Sequence, residues 1–290
     1  MEPSFGDPGG AATRVALPAA RGWQRLDERL RGMSGGRAPS VPGGPAGLRG
    51  RPISGGGFGT SPGAVDVVAW WLDAEPAVVD ELARSLSPDE RARARRFRAT
   101  RPRDAYIVGR GRLRELLGLV VGCPPAAVRL VGGPGGKPRL AGAVGERVRF
   151  NVAHSSALML CAVAVARDVG VDVERVDESA DWEDIAARSF AAAERRALAV
   201  LPGARQRAAF FACWTRKEAV IKATGEGLGR PLDSFVVSVA PDRAEMLSCA
   251  PALGAPDSWF LAPVPVPSSY CAAVAVRDGG GAVSLRLWSR

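Results

Sequence analysis

The chain of 290 residues is long enough for one large domain or two modest ones, and its hydrophobic content of 47% is sufficient for a buried core. Its 39 Lys and Arg against 30 Asp and Glu give a formal net charge of +9, which favours nucleic acid, phosphorylated small molecules or an acidic protein as partners. No apolar run approaches the roughly 20 residues of a membrane span, the N-terminus lacks a signal-peptide pattern, and five scattered cysteines form no disulfide or zinc motif. We therefore expect a cytoplasmic protein with reduced thiols and no membrane partner.

The beginning of the chain has the composition of a disordered tail. Residues 1–63 are rich in Gly, Pro, Ser and Arg, and cannot bury enough apolar surface to offset the entropy lost on ordering. We assign this tail no chemistry. Ordered structure is predicted to begin with a strand over residues 64–73 and a helix over 75–86, and Ser87 and Pro88 are typical of the start of a further helix.

An arginine-rich segment follows at residues 91–114, and its second part, 104–119, has the apolar spacing of a helix. A run of this kind is usually a solvated helix face. The functional alternative is a face that binds phosphate groups. A nucleic-acid-binding surface is a further hypothesis, but Phe97 and Tyr106 are the only aromatic residues in the run, so no base-stacking platform is evident.

The segment GGPGGKPRL, residues 132–140, combines glycine turns with a short strand. It contains Lys137, one of only three lysines in the chain. Because Pro138 follows this lysine, the segment lacks the Lys-Ser/Thr order of a nucleotide-binding P-loop.

The segment RVRFNVAHSS, residues 147–156, predicts a strand that leads into a turn with the only histidine, His154. A single histidine is more often structural than functional. Here it lies near Asn151 and Ser155, polar residues that suit an anion.

Two buried strands are predicted over residues 158–168 and 170–176. In the second, Asp172 and Glu174 alternate with valines, so both carboxylates face the same side. They repel each other unless a cation lies between them, which indicates a metal site with Glu218 as the candidate third ligand. The alternative is an edge strand with a polar outer face.

A long helix is predicted over residues 210–228, where Trp214, Glu218 and Lys222 lie four apart on one face. An ion pair on a solvated face is one interpretation, and it would contribute only about 0.2–0.5 kcal/mol. Lys217 and Lys222 are two of the three lysines, which suggests that this helix requires compact ammonium groups. We expect Trp214 to anchor the helix by packing.

The remaining elements are two helices and four strands, predicted over 181–189, 192–200, 234–240, 258–264, 269–278 and 282–288. The sequence CAAVAVRD at 271–278 echoes CAVAVARD at 161–168. The echo indicates an internal duplication of one α+β unit.

The motifs GGKPRL, FNVAHS, GVDVE and WTRKEAVIKATGEGL occur in this order. Together they resemble the 4′-phosphopantetheinyl transferase superfamily, specifically the larger monomeric, surfactin-synthetase-activating type with two similar halves. The resemblance covers about residues 64–240. It implies an α+β fold with a pseudo-twofold duplication, in which each half is a small antiparallel sheet packed with a long helix. We place the halves at residues 64–166 and 167–290.

This resemblance implies an enzyme that transfers the 4′-phosphopantetheine moiety of coenzyme A to a serine of an apo acyl or peptidyl carrier protein. Adenosine 3′,5′-bisphosphate would be released, Mg²⁺ would be the metal cofactor, and the enzyme would be a monomer. Two alternatives stay open at this point. One is a basic nucleic-acid-binding protein, and the other is an inactive homologue that binds coenzyme A or a carrier protein.

The resemblance also implies roles for single residues. Asp172, Glu174 and Glu218 would hold Mg²⁺, and Glu218 would also be the general base on the serine, directly or through water. Lys222 would be catalytic, neutralising the bridging or leaving phosphate, with Lys217 in a supporting role. The residues implied to bind coenzyme A are Asp172, Lys222, Arg103, Arg110, Lys137, Asn151 and His154.

Two positions depart from the family pattern. Ala153 precedes His154 where the family often has serine, which removes one hydrogen bond to a phosphate. Glu90 stands near the position where some relatives carry a lysine.

Overall fold

The computed structural model describes residues 63–133, 136–176, 181–225, 230–277 and 283–289. Apart from Gly63, the tail expected to be disordered lies outside these ranges, as does the end of the predicted long helix after Gly225. None of the helices in the described ranges is long and apolar enough to cross a bilayer.

The first sheet has four strands in the order β11, β1, β5, β4. They are β1 (Ala64–Trp71), β4 (Val148–Ser155), β5 (Leu158–Val165) and β11 (Ser284–Ser289). Strand β5 pairs antiparallel with both β1 and β4, but β11 pairs parallel with β1. The sheet is therefore mixed rather than antiparallel as predicted, because the last strand of the chain returns to its edge.

A buried carboxylate holds this returning strand in place. Asp66 on β1 accepts bonds from Nε and Nη2 of Arg286, each at 2.7 Å, and from Nε1 of Trp288 at 2.9 Å. The paired geometry is the strong bidentate form of an arginine–carboxylate contact.

The second sheet is antiparallel and has the order β6, β10, β9, with β6 (Asp168–Arg175), β9 (Trp259–Pro263) and β10 (Tyr270–Arg277). Two further two-stranded sheets join β2 (Leu130–Gly132) to β3 (Pro138–Leu140), and β7 (Phe235–Val237) to β8 (Met246–Cys249). The strands predicted from the sequence are thus confirmed within a few residues at their ends.

Seven α-helices lie in the described ranges, and two of them are 22 residues long. They are α1 (Pro76–Ala83), α2 (Pro88–Arg95), α3 (Thr100–Val121), α4 (Ala143–Arg147), α5 (Trp182–Ser189), α6 (Ala192–Ala199) and α7 (Gly203–Thr224). Ser87 and Glu90 form a capping box at the start of α2, as the residue types at this helix start predict. Gly225, with φ of 73°, ends α7 as predicted, while α7 begins earlier than the apolar pattern indicated.

The elements form four layers, helix on sheet on sheet on helix. One core cluster lies beneath α3 against the first sheet, a second lies beneath α7 against the second sheet, and a third fills the space between the sheets. Strand β5 is buried along nearly its whole length because it has a packed layer on each face.

Helix α7 approaches β6 so closely that only glycine fits at the contact. A Cβ atom on Gly170 would lie 2.0 Å from the carbonyl oxygen of Ala219 and 2.4 Å from the amide nitrogen of Ala223. This contact places the last two turns of α7 directly over the strand that carries Asp172.

We expect Gly170→Ala to lower the free energy of unfolding by about 1–3 kcal/mol, because the methyl group forces α7 away from β6. Gly203→Ala, at the start of the same helix, is the matched control, since no other atom would lie within 4 Å of the added methyl group. That control should change stability by less than about 1 kcal/mol. Urea unfolding measures both variants, and equal stability would contradict the close approach.

Candidate active site

The ammonium of Lys222 contacts the carboxylate of Asp172 across the α7–β6 interface, through Oδ1. Asp172 is 3% exposed, and its second oxygen, Oδ2, is buried without a hydrogen-bond partner among the residues that the structure describes. The ion partner of Lys222 is therefore the strand carboxylate rather than Glu218 on its own helix. The alternative of a solvated ion pair within one helix is wrong for this pair.

Both carboxylates near Lys222 have raised pKa values. Burial raises the pKa of Asp172, and the charge of Glu174 adds to this, against the opposite effect of Lys222. Burial and the charge of Asp172 likewise raise the pKa of the half-buried Glu218, again opposed by Lys222. A carboxylate with a raised pKa binds a proton more readily, which suits Glu218 to proton transfer.

Glu174 lies beside the tip of β4 and is oriented by a serine. Ser155 donates from Oγ to Oε2 of Glu174 at 2.9 Å and accepts from the backbone amide of Arg175 at 3.0 Å. The effect of Glu174 on the pKa of Asp172 agrees with the expectation that the two carboxylates share one side of β6. His154 and Ser156 line a large cleft, and Ser155, which lies between them at the end of β4, contacts Glu174.

The cleft has a volume of about 800 Å³ and lies among α2, α3 and the end of β4. Its cationic and aromatic lining residues are Arg93, Arg96, Arg110, His154, Phe97 and Tyr106. The rings of Phe97 and Tyr106 lie 5.5 Å apart, and the Arg93 guanidinium lies 5.4 Å from the Tyr106 ring centre. Such a surface can bind a ligand with both phosphate groups and a flat ring.

Glu90 organises the arginines on one wall of this cleft. Its Oε1 accepts from Nε and Nη2 of Arg110 at 2.8 and 2.6 Å, and its Oε2 accepts from Nε of Arg114 at 2.5 Å and from the Ser87 amide at 2.9 Å. Although burial alone raises the pKa of Glu90, the Ser87 amide and the two arginines lower it overall. The acid that stands where some relatives carry lysine thus fixes Arg110 at the cleft.

Three residues predicted to bind coenzyme A do not line this cleft, and their role in binding stays a prediction. Arg103 is exposed and pairs with its neighbour Asp104 at 2.9 Å, because its side chain leaves α3 on the solvent side. Asn151 is buried on β4, and its Oδ1 accepts from the backbone amide of Val171 at 2.8 Å.

Lys137 is the third of these residues. Its Nζ donates to the carbonyl oxygens of Val169, at 2.9 Å, and Lys222, at 2.6 Å. It lines a second, smaller cavity instead of the large cleft, although its neighbours Gly136 and Pro138 line the cleft. Burial lowers its pKa to about 8, so the side chain is still mainly an ammonium at neutral pH.

Arg93 and Arg96 are cleft residues that the sequence placed only within an arginine-rich run, without distinguishing them from its other arginines. They lie three residues apart at the end of α2 and therefore point to the same side. That spacing is the sequence signal for two side chains on one face, but other arginines of the run have the same spacing. Only the packing of α2 against α3 distinguishes the pair that faces the cleft.

The predicted metal ligands fit Mg²⁺ by chemistry but are not preassembled. No three Asp, Glu, His or Cys side chains within the described part of the chain are grouped to hold a metal ion. Lys222 occupies one oxygen of Asp172 instead. The unpartnered Oδ2 of Asp172 is nevertheless a suitable oxygen ligand, and Glu174 and Glu218 supply carboxylates of the type that Mg²⁺ prefers.

Lys217 has a structural role. Its fully buried Nζ contacts Glu194 at 2.8 Å and donates to the carbonyl oxygens of Leu232 and Phe235 at 2.7 and 2.6 Å. Trp214 packs against Phe190 and Phe210, as expected of an anchoring residue.

The comparisons with known proteins show the family of the chain. Residues 168–275 match the family model of the 4′-phosphopantetheinyl transferase superfamily. Over 220 residues the chain is 38% identical to the 4′-phosphopantetheinyl transferase HetI of Nostoc sp., covering 74% of this chain and 90% of that protein. It is also 28% identical over 157 residues to the 4′-phosphopantetheinyl transferase Sfp of Bacillus subtilis, covering 54% of this chain and 68% of Sfp. The chain belongs to the 4′-phosphopantetheinyl transferase superfamily.

We expect Lys217→Met to lower the free energy of unfolding by about 3–5 kcal/mol, because it leaves the buried carboxylate of Glu194 uncompensated. Arg205→Met, at an exposed position of the same helix, serves as the control and should change stability by no more than about 0.5 kcal/mol. Urea unfolding measures both. A tolerated Lys217→Met would show that Glu194 needs no buried cation.

Proposed function

We propose that this protein transfers the 4′-phosphopantetheine moiety of coenzyme A to a serine of an apo acyl or peptidyl carrier protein, releasing adenosine 3′,5′-bisphosphate. One observation carries the proposal. An arginine- and aromatic-lined cleft adjoins, through Ser155, the cluster of Asp172, Glu174, Glu218 and Lys222. Membership of the superfamily supports it.

The cleft suits coenzyme A, which carries several phosphate groups and an adenine ring. Arg93, Arg96 and His154 would donate to the phosphates, and the guanidinium groups can do so through paired bonds. The exposed face of Tyr106 or Phe97 would support the adenine ring. Ala153 is buried in the cluster between the two sheets and does not line this cleft, so the arginines and His154 supply the donors there.

In the proposed reaction, a serine oxygen of the carrier protein forms a bond to the β-phosphorus of coenzyme A. The bond from that phosphorus to the bridging oxygen breaks, and its electron pair leaves with adenosine 3′,5′-bisphosphate. Glu218 accepts the serine proton, and its raised pKa favours this role. Lys222 donates to the phosphate oxygens as charge develops on the leaving group.

Mg²⁺ is the metal that we propose for this site. Asp172, Glu174 and Glu218 would hold it, with Oδ2 of Asp172 as the oxygen that has no other partner. When bound, the ion supplies positive charge that neutralises the pyrophosphate.

We also propose that residues 64–166 and 167–290 arose by duplication of one α+β unit. The two 22-residue helices each cover the outer face of one sheet. The echoed sequences lie largely on β5 and β10, and in both cases the following strand pairs in the other sheet. Since one chain supplies both the cleft and the acidic residues, we expect the enzyme to act as a monomer.

Incubating the protein with coenzyme A, Mg²⁺ and an apo carrier protein, followed by mass spectrometry of the carrier, tests the function directly. We expect Glu218→Gln to reduce transfer by about 10²–10⁴-fold, the usual contribution of a general base. Lys222→Met should also reduce transfer strongly, because it removes charge from the leaving phosphate. Circular dichroism should show both variants folded.

Wild-type turnover by Glu218→Gln would refute the proposed mechanism. If the wild-type protein modified no carrier protein but retarded DNA in a salt-sensitive manner, the nucleic-acid alternative would replace the proposed function.

A second prediction compares arginines inside and outside the cleft. Arg93→Ala should raise the KM for coenzyme A by about 10-fold or more, the value expected for one hydrogen bond to a charged group. Arg103→Ala should change that KM by less than about twofold, since an exposed ion pair contributes little. Steady-state kinetics measures both. The reverse order would restore Arg103 as a phosphate ligand.

A further inference from the structure

Lys137 belongs to the wall of the cleft but directs its side chain away from it. The residues on either side, Gly136 and Pro138, line the large cleft. Nζ of Lys137 instead reaches the carbonyl oxygens of Val169 on β6 and Lys222 on α7. One side chain of the first half thus touches both elements that carry the catalytic cluster.

One of the two carbonyl groups lies at the end of α7, and the other lies on β6. Lys222 lies in the last turn of α7, where carbonyl groups have no partner within the helix and the helix dipole is negative. An ammonium group there satisfies one orphan acceptor and complements the dipole. Val169 lies three residues before Asp172 on β6, so the same ammonium joins the backbone of Lys222 to the strand that carries its partner Asp172.

We propose, on the basis of the proposed function, that Lys137 is a positioning residue that sets the backbone of Lys222 relative to Asp172 and to the wall of the cleft. It acts through Lys222 and does not bind a phosphate of coenzyme A. A shift of Lys222 away from the leaving phosphate would slow transfer without weakening the binding of coenzyme A in the cleft.

Charge around Lys137 is consistent with this role. Arg149 and Asp168 line the same small cavity and lie within 3.7 Å of each other, from Nε to Oδ1. They largely compensate each other, and two backbone carbonyls satisfy Lys137. Two of the three donors of Lys137 are thus engaged within the protein.

Kinetics with two substrates, coenzyme A and 3′-dephospho-coenzyme A, tests the proposal. We expect Lys137→Met to reduce kcat by up to about 10²-fold, the loss that a displacement of about 1 Å can cause. The KM for each substrate should stay within about twofold, and the loss in kcat should be the same for both. Calorimetric titration with coenzyme A should give an unchanged affinity.

Two further variants are compared with Lys137→Met. Arg139→Met removes a neighbouring exposed cation and should retain wild-type kinetics. Lys137→Gln retains a donor for one of the two carbonyl groups, so it should recover part of the kcat lost in Lys137→Met. If thermal unfolding shows that Lys137→Met is too unstable to assay, Lys137→Gln replaces it in the kinetic comparison.

A raised KM for coenzyme A, or a defect confined to the substrate with the 3′-phosphate, would overturn the proposal in favour of direct phosphate binding. Unchanged kcat in Lys137→Met would overturn it as well. Failure of the proposed function is a separate result, because it would appear as absence of transfer by the wild-type protein.

Discussion

Strand β6 depends on side chains, instead of a backbone ladder, for its attachment to the first half of the protein. Asn151 accepts from the amide of Val171, and Ser155 accepts from the amide of Arg175. Lys137 donates to the carbonyl oxygen of Val169. These three contacts satisfy backbone groups that a neighbouring strand would otherwise pair. The strand with the acidic residues is therefore joined to the first half by polar contacts that depend on single residues.

A second constraint acts on the face of β6 that packs against α7. Gly170 lets α7 approach closely enough for Lys222 to contact Asp172, while Glu218 lies within the electrostatic influence of both. The approach excludes water, which raises the pKa of both carboxylates. The packing of α7 on β6 thus stabilises the second half and also sets the environment of these two carboxylates. A substitution that disturbs this packing therefore affects the carboxylates as well.

The contacts of Lys217 and Lys137 show which kind of site suits a compact ammonium group. Lys217 contacts one carboxylate and two carbonyl groups, and Lys137 contacts two carbonyl groups. Three donors on one small group suit such crowded sites, whereas the planar fork of arginine suits carboxylates such as Glu90 and Asp66. Lysine therefore serves at structural sites as well as in the ion pair of Lys222 with Asp172.

The sequence by itself determined which side chains share a face. Alternation along β6 placed Asp172 with Glu174, the four-residue spacing on α7 placed Glu218 with Lys222, and the order of the motifs indicated the superfamily. Only the tertiary structure decided the partners: Lys222 with Asp172, 50 residues away, and Lys137 with Lys222, 85 residues away. The physical reason is that local periodicity sets the direction of a side chain, whereas its partner depends on which distant elements pack beside it. For that reason the sequence did not show the partners of Arg103 and Asn151, and it could not distinguish Arg93 and Arg96 from the other arginines before α2 was placed against α3.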